Sequence, residues 1–134
     1  MTLMQGIKKT MSKKKPLVSI LINNYNKENF CVKAVESAVR QDYKNIEIIF
    51  YDDNSSDFSI ERIKKLKKKL KIKKLKIIEN KNRKSIFSYN QIEGIKKSLT
   101  KSNGKIICLL DSDDFFKKNK IKDVVKYFEM NRSC

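Results

Sequence analysis

Apolar and polar positions alternate in blocks along this chain. "LVSILIN" (residues 17–23) and "IEIIFYDD" (46–53) are short runs dense in Ile and Val, which predict strands covered on both faces. "LKIIEN" (75–80) and "KIICLL" (105–110) predict two more. Between these runs the apolar spacing becomes helical. In "KENFCVKAVESAVRQ" the stripe is Phe30, Val32, Ala34, Val35, Ala38 and Val39. In "NSSDFSIERIKKLKKKLK" it is Ile60, Ile63, Leu66 and Leu70, with Ser56 or Asp57 as N-cap. "SIFSYNQIEGIKKSLTK" predicts a third helix, closed by Asn103-Gly104. "KNKIKDVVKYFEMN" predicts a fourth, with Ile121, Val124, Val125 and Phe128 on one side. The order is βαβαβαβα, and no two-residue hairpin turn joins two strands. Such alternation predicts an α/β fold: a Rossmann-like parallel sheet with helices on both faces.

In such sheets ligands bind beyond the carboxyl ends of the strands. Polar clusters follow strands one, two and four: "NNYN", "DDNSSD" and "DSDD". All three should open on one edge of the sheet. Residues two apart in an extended segment point the same way, so Asp111 and Asp113 can face one ligand. Clustered carboxylates repel unless something positive sits between them. Hard divalent cations such as Mg2+ or Mn2+ take oxygen ligands and are commonly shared between carboxylates and substrate phosphates. A bare acidic turn could instead cap the helix that starts near Lys117. The second acidic strand end, Asp52-Asp53, weighs against that simpler role.

Composition changes the picture only in part. The 134 residues suit one domain, 40% are hydrophobic, and 32 Lys and Arg against 15 Asp and Glu leave a net charge of +17. Such a balance suits phosphate-rich partners: nucleic acid, anionic membrane or nucleotides. The lysines, however, are spread along the chain in company with many Ile and Asn, as coding bias toward A and T produces. The lysine-rich stretch from Lys64 to Lys76 still carries a helical stripe and reads as a solvated helix face. Cys31, Cys108 and Cys134 form no C-x-x-C pair and there is no His, which excludes a zinc site of the usual kind. Scattered cysteines fit a reducing cytosol, and Cys108 reads as a small hydrophobe within a strand. No apolar run reaches membrane-spanning length. Residues 1–15 are a basic, flexible lead-in without an apolar signal core, in which Met11 is an alternative start. Residues 16–134 form the organised domain.

Several phosphate-handling folds fail on particular residues. A receiver domain carries its acidic pair after the first strand, where this chain has Asn23-Asn24. A haloacid-dehalogenase phosphatase has D-x-D at its first strand, with Thr or Val two places later; here the motif follows the fourth strand and that place is Phe115. A P-loop or dinucleotide fold needs a glycine-rich turn, and the chain has three glycines and no G-x-G.

The segment "PLVSILINNYNKENFCVKAVESAVRQDYKNIEIIFYDDNSSD" carries Tyr25-Asn26, Glu36-Ser37, Gln41 and an Asp52-Asp53 strand end, and "NGKIICLLDSDD" follows. Together these resemble the start of a family 2 glycosyltransferase of the GT-A fold, over Pro16 to the end of the chain. The resemblance implies the nucleotide-sugar-binding half of an inverting enzyme that transfers a sugar from a nucleoside-diphospho-sugar, commonly a UDP-sugar, to an acceptor hydroxyl in glycan or cell-surface polysaccharide synthesis. It implies that Tyr25 stacks on the base, Asp53 accepts a hydrogen bond from it, and Asp52 supports the turn. Asn90 matches a helix asparagine of the family's nucleotide site. Asp111 and Asp113 belong to the D-x-D that would hold Mn2+ or Mg2+, and the carboxylates of this cluster, Asp111 and Asp114 among them, would divide between metal, diphosphate and ribose. The loop "NKNRKS" lacks the family's usual glycine, and Arg83 or Lys84 could reach phosphate from it. The acceptor-binding part, with the general base, is expected beyond Cys134, so this chain alone is expected to be inactive and to self-associate through an uncovered sheet edge. The implied acceptor is a saccharide or lipid-linked saccharide, and the implied location is cytoplasmic or at the inner face of the membrane. The rival is a basic nucleic-acid- or membrane-surface-binding module. It predicts lysines gathered on one face and no use for the acidic strand ends.

Overall fold

The computed structural model describes residues 15–132. The elements are β1 (Val18–Asn24), α1 (Cys31–Val39), β2 (Ile46–Asp53), α2 (Ser59–Leu70), β3 (Leu75–Asn80), α3 (Phe87–Lys101), β4 (Ile106–Asp111) and α4 (Lys120–Met130). All the strands run parallel, in the order β3-β2-β1-β4, as the alternation predicts. The expected lead-in up to residue 14, with Met11, and Cys134 lie outside the described residues.

The period of two along each strand divides the sheet into unlike faces. Val18, Ile20 and Ile22 of β1, with Ile48 and Phe50 of β2, pack against Cys31, Ala34, Val35 and Ala38 of α1, Ile63 and Leu66 of α2, and Ile121 and Val125 of α4. The opposite face carries Ser19, Leu21, Asn23, Glu47, Ile49 and Tyr51, and α3 lies across it. Gly94 makes that approach possible: a Cβ there would stand 2.9 Å from two ring carbons of Tyr51.

At the amino end of this second face is a polar cluster that the apolar pattern does not reveal. Ser19 and Glu47 are register partners. Ser19 Oγ donates to Glu47 Oε1 at 2.6 Å, the Asn103 amide donates to the same oxygen, and Lys76 Nζ lies 3.3 Å from Oε2. Gly104 has no left-handed backbone, so the expected glycine cap is not how α3 ends. The helix stops at Lys101, and Gly104 is needed because a Cβ would collide with the Ser19 hydroxyl and approach its backbone nitrogen to 2.6 Å.

Three further expectations are corrected. Phe30, Leu70 and Phe128 are exposed rather than part of their helices' buried stripes, and Cys31 takes the buried place beside Phe30. α2 begins at Ser59, with Phe58 in the cap position; Asp57 nonetheless accepts from the Ser59 amide at 3.0 Å and so does a capping carboxylate's work from one residue upstream. The two faces are also not equally covered. On β4, Ile107 and Leu109 project on the α3 side and remain 37% and 56% exposed.

Candidate functional site

The register brings the polar strand ends level. Asn23 lies beside Asp111, Asn24 beside Asp52, and Asp53 beside Asn80. A cavity of about 430 Å³ opens there, lined by Asn23, Tyr25, Tyr51, Asp53, Asn90, Asp111 and Asp113 among others. Tyr25, Asp53, Asn90, Asp111 and Asp113, all named from the sequence, therefore share one pocket. Asp52 does not line it.

The pleat separates the two acids that end β2. Asp53 faces the α3 side, where its Oδ1 accepts from Asn80 Nδ2 at 2.8 Å. Asp52 turns inward and holds the loop: Asn24 Nδ2 donates to it at 2.8 Å, Ser55 Oγ at 2.6 Å and the Ser55 amide at 2.9 Å. Asn26 and Asn54 take left-handed backbone, which asparagine tolerates better than most residues. The loops after β1 and β2 are then stitched together, since Ser55 Oγ accepts from the Asn26 amide and Asn26 Oδ1 accepts from the Ser56 amide. These stitches fix the backbone on which Tyr25 is displayed, its ring 37% exposed.

The Asp111-Ser112-Asp113-Asp114 segment folds as a tight turn, with the Asp114 amide donating to the Asp111 carbonyl at 3.0 Å. One carboxylate oxygen from each of Asp111, Asp113 and Asp114 lies within 4.8 Å of the others, all exposed. Three hard oxygen donors at this separation fit Mg2+ or Mn2+, whose ligands are carboxylates and phosphates. Lys27 Nζ, 3.6 Å from Asp113 Oδ2, relieves part of the repulsion. The segment after the turn is anchored to α1. Gln41 is fully buried; its Nε2 donates to the Lys117 and Ser37 carbonyls, and its Oε1 accepts from the Ile121 amide. Ser37 Oγ accepts from the Phe116 amide. Thus Ser37 and Gln41 aim the acidic turn without lining the pocket.

Asn90 and Arg83, both lining the pocket, make contacts of their own within the site. Asn90 commits its side chain to the loop after β3: Oδ1 accepts from the Lys84 amide at 2.9 Å and Nδ2 donates to the Lys84 carbonyl at 2.7 Å. Arg83 lies over Tyr25, its guanidinium carbon 3.7 Å from the ring centroid, with Nε 3.1 Å from Asp53 Oδ2. The Nε–H is not aimed at that oxygen, so the contact is an ion pair without an aligned hydrogen bond.

Lys27 and Tyr51 were not singled out from the sequence. Tyr51 was legible, since it stands two residues before Asp53 on the same strand face. Its hydroxyl is buried without a partner, and burial, followed by the charges of Asp53, Glu93 and Asp52, pushes its pKa up to about 12. It stays protonated at neutral pH, in a residue that lines the pocket.

The sequence model of the family described as "Glycosyl transferase family 2" matches residues 19–133. An uncharacterized glycosyltransferase of Haemophilus influenzae is 36% identical over 66 residues, 49% of this chain and 20% of the relative. The Escherichia coli UDP-Glc:alpha-D-GlcNAc-diphosphoundecaprenol beta-1,3-glucosyltransferase WfaP is 51% identical over 51 residues, 38% of this chain and 20% of the relative. Among solved structures, the Pyrobaculum calidifontis mannosyltransferase PcManGT in complex with GDP-Man and Mn2+ superposes with a TM-score of 0.77 at 18% identity, over 87% of this chain and 33% of that one. S. aureus TarS 1-349 in complex with UDP-GlcNAc gives 0.70 at 22% identity, over 86% of this chain and 32% of that one. The chain thus spans about a fifth of those curated relatives and a third of those structures.

Proposed function

Since the chain belongs to glycosyl transferase family 2, we propose that it forms the donor-nucleotide-binding part of an inverting glycosyltransferase that uses a nucleoside-diphospho-sugar, with UDP-sugar as the donor. The observation that carries this reading is one pocket at the carboxyl ends of the strands whose wall includes an aromatic face, Tyr25, a carboxylate, Asp53, and part of an acidic cluster, Asp111 and Asp113. A base stacks on Tyr25, and its ring N–H is accepted by Asp53. Asp111, Asp113 and Asp114 hold a divalent cation, and Asp111 and Asp114 also meet the ribose and diphosphate. The cation, when bound, supplies charge that neutralises the departing diphosphate. Lys27 adds positive charge at the same mouth. Asp52 and Asn90 act one step back, on the loops that carry Tyr25 and Arg83. Acceptor binding and deprotonation are not assigned to any residue described here. The acceptor class, a saccharide or lipid-linked saccharide, belongs to this proposal, as does a cytoplasmic site of action at or near a membrane. Among the described residues no helix is long and apolar enough to cross a membrane.

A basic binding module explains less. Lysines do line a groove at α2 and β3, including Lys64, Lys67, Lys68, Lys71 and Lys73. That groove adjoins the link into the amino end of β3, and it leaves the acidic carboxyl edge without a role.

The proposal is tested at Tyr25. By calorimetry, Tyr25→Ala should weaken UDP binding by about 1–3 kcal/mol, the scale of one base–aromatic stack. Tyr25→Phe should bind nearly as the unaltered chain does. Equal losses in the two variants would replace stacking by a role for the hydroxyl, and no loss in either would remove the base from this ring.

A further inference from the structure

We propose that the lysine groove between α2 and β3 is a docking surface for an anionic lipid bilayer. The inference stands apart from the donor-binding reading, because the groove shares no lining residue with the nucleotide pocket. Residues 64–76 hold nine lysines and no acidic residue. Helical spacing of three and four residues puts Lys64, Lys67, Lys68 and the cap residue Lys71 along one side of α2. Lys73, in the link to β3, lines the same open cavity of about 520 Å³, whose apolar part is the half-buried Ile72 and Ile77. Of these five lysines only Lys64 forms an ion pair among the described residues, with Glu79 at 3.1 Å.

Local structure accounts for part of this. Cations suit the last turn of a helix, and β3 is an edge strand, where lysine deters pairing with another chain. Neither reason calls for lysines of the helix and of the link to share one groove, where like charges repel. A negatively charged surface relieves that repulsion. The lining also discriminates among polyanions. Single-stranded nucleic acid is held by aromatic planes as well as by charge, and the groove has no aromatic or arginine side chain. Its charged groups are all lysine ammoniums, point charges that require no fixed geometry in a partner. A leaflet of anionic headgroups supplies such a partner. Leu70, 44% exposed in the last turn of α2, adds an apolar side chain of the kind that settles into the headgroup boundary.

Flotation of the full chain with vesicles tests this, with phosphatidylcholine alone and with phosphatidylcholine mixed with phosphatidylglycerol, at low and at raised NaCl. Three variants are compared with the unaltered chain. The groove variant combines Lys68→Gln, Lys71→Gln and Lys73→Gln. A charge-matched control combines Lys105→Gln, Lys122→Gln and Lys126→Gln. A charge-retaining variant combines Lys68→Arg, Lys71→Arg and Lys73→Arg. All of these lysines are exposed and none is in an ion pair among the described residues.

The unaltered chain should float with the anionic vesicles, not with the neutral ones, and should be released as salt rises. The groove variant should lose about a hundred-fold in vesicle affinity, about five-fold for each lysine near the surface. The control should lose less than about three-fold, since charge away from the contact is screened. The arginine variant should bind as the unaltered chain does. Absence of binding to anionic vesicles at low salt overturns the inference. Equal loss in the groove variant and the control overturns it too, because net charge and not the groove would then be read. So does equal loss in the glutamine and arginine variants, which would trace the effect to the fold. Single-stranded RNA is carried through the same set. Retention of RNA by the unaltered chain without vesicle binding would assign the groove to nucleic acid and overturn the bilayer.

Discussion

Four donors from three separate segments converge on Glu47, whose carboxylate ties β1, β3 and the α3–β4 link to β2. Burial alone would raise its pKa. The Asn103 amide, the Ser19 hydroxyl and Lys76 outweigh burial and hold it below the ordinary glutamate value of 4.5. The folded state therefore keeps Glu47 ionised at a pH where the unfolded chain has begun to take up a proton. Its stabilising contribution is complete above the unfolded value and is lost as pH falls through the folded one. Glu47→Gln should cost about 1.5–3 kcal/mol at neutral pH, the scale of hydrogen bonds to a charged group. It should also lose less stability than the unaltered protein on acidification, as read by urea unfolding at both pH values. Individual residues were legible where one geometric rule applies. A period of two should have separated Asp52 from Asp53 and paired Tyr51 with Asp53. Arg83 was named only as a phosphate contact; its place over Tyr25 was not legible, because it depends on where a loop without secondary structure comes to rest.

β2 and β3 have the bounds that the apolar pattern predicts, because a run of branched residues ends sharply against acid or asparagine. The helices were less legible at their starts. α1 and α2 begin late because the residues after β1 and β2 are used to stitch two loops together, through Asn26, Ser55 and Asp57. That stitching makes a floor for the pocket instead of an early helical turn. The link from α1 to the acidic turn runs through Gln41. Gln41→Leu keeps the volume but removes bonds to Lys117 and Ile121, and should destabilise the fold by about 1–3 kcal/mol. Because Gln41 acts through position, the variant should also lose part of the gain in UDP affinity on adding Mn2+, while uridine binding is unchanged. An equal loss for uridine would mean that the whole pocket has shifted and that Gln41 has no selective hold on the acidic turn.

Among the described residues an acidic cluster stands at the carboxyl end of β4, and a lysine groove adjoins the amino end of β3. The parallel arrangement was legible from alternation alone. The strand order and the uneven cover of the faces were not, since periodicity does not record which helix reaches which strand. β4 lies at an edge of the sheet, with Ile107 and Leu109 exposed. An exposed apolar edge invites pairing. The 134-residue chain should sediment faster than a monomer, and Leu109→Lys should shift it toward the monomer. The central claim is that this pocket binds a nucleoside diphosphate with the help of a divalent cation held by the acidic turn. Calorimetry of the chain with UDP, with and without Mn2+, tests it most directly. The account predicts binding that strengthens when Mn2+ is present and a gain that disappears in Asp113→Asn. Equal affinity with and without the metal, or no binding by well-folded protein, would contradict it.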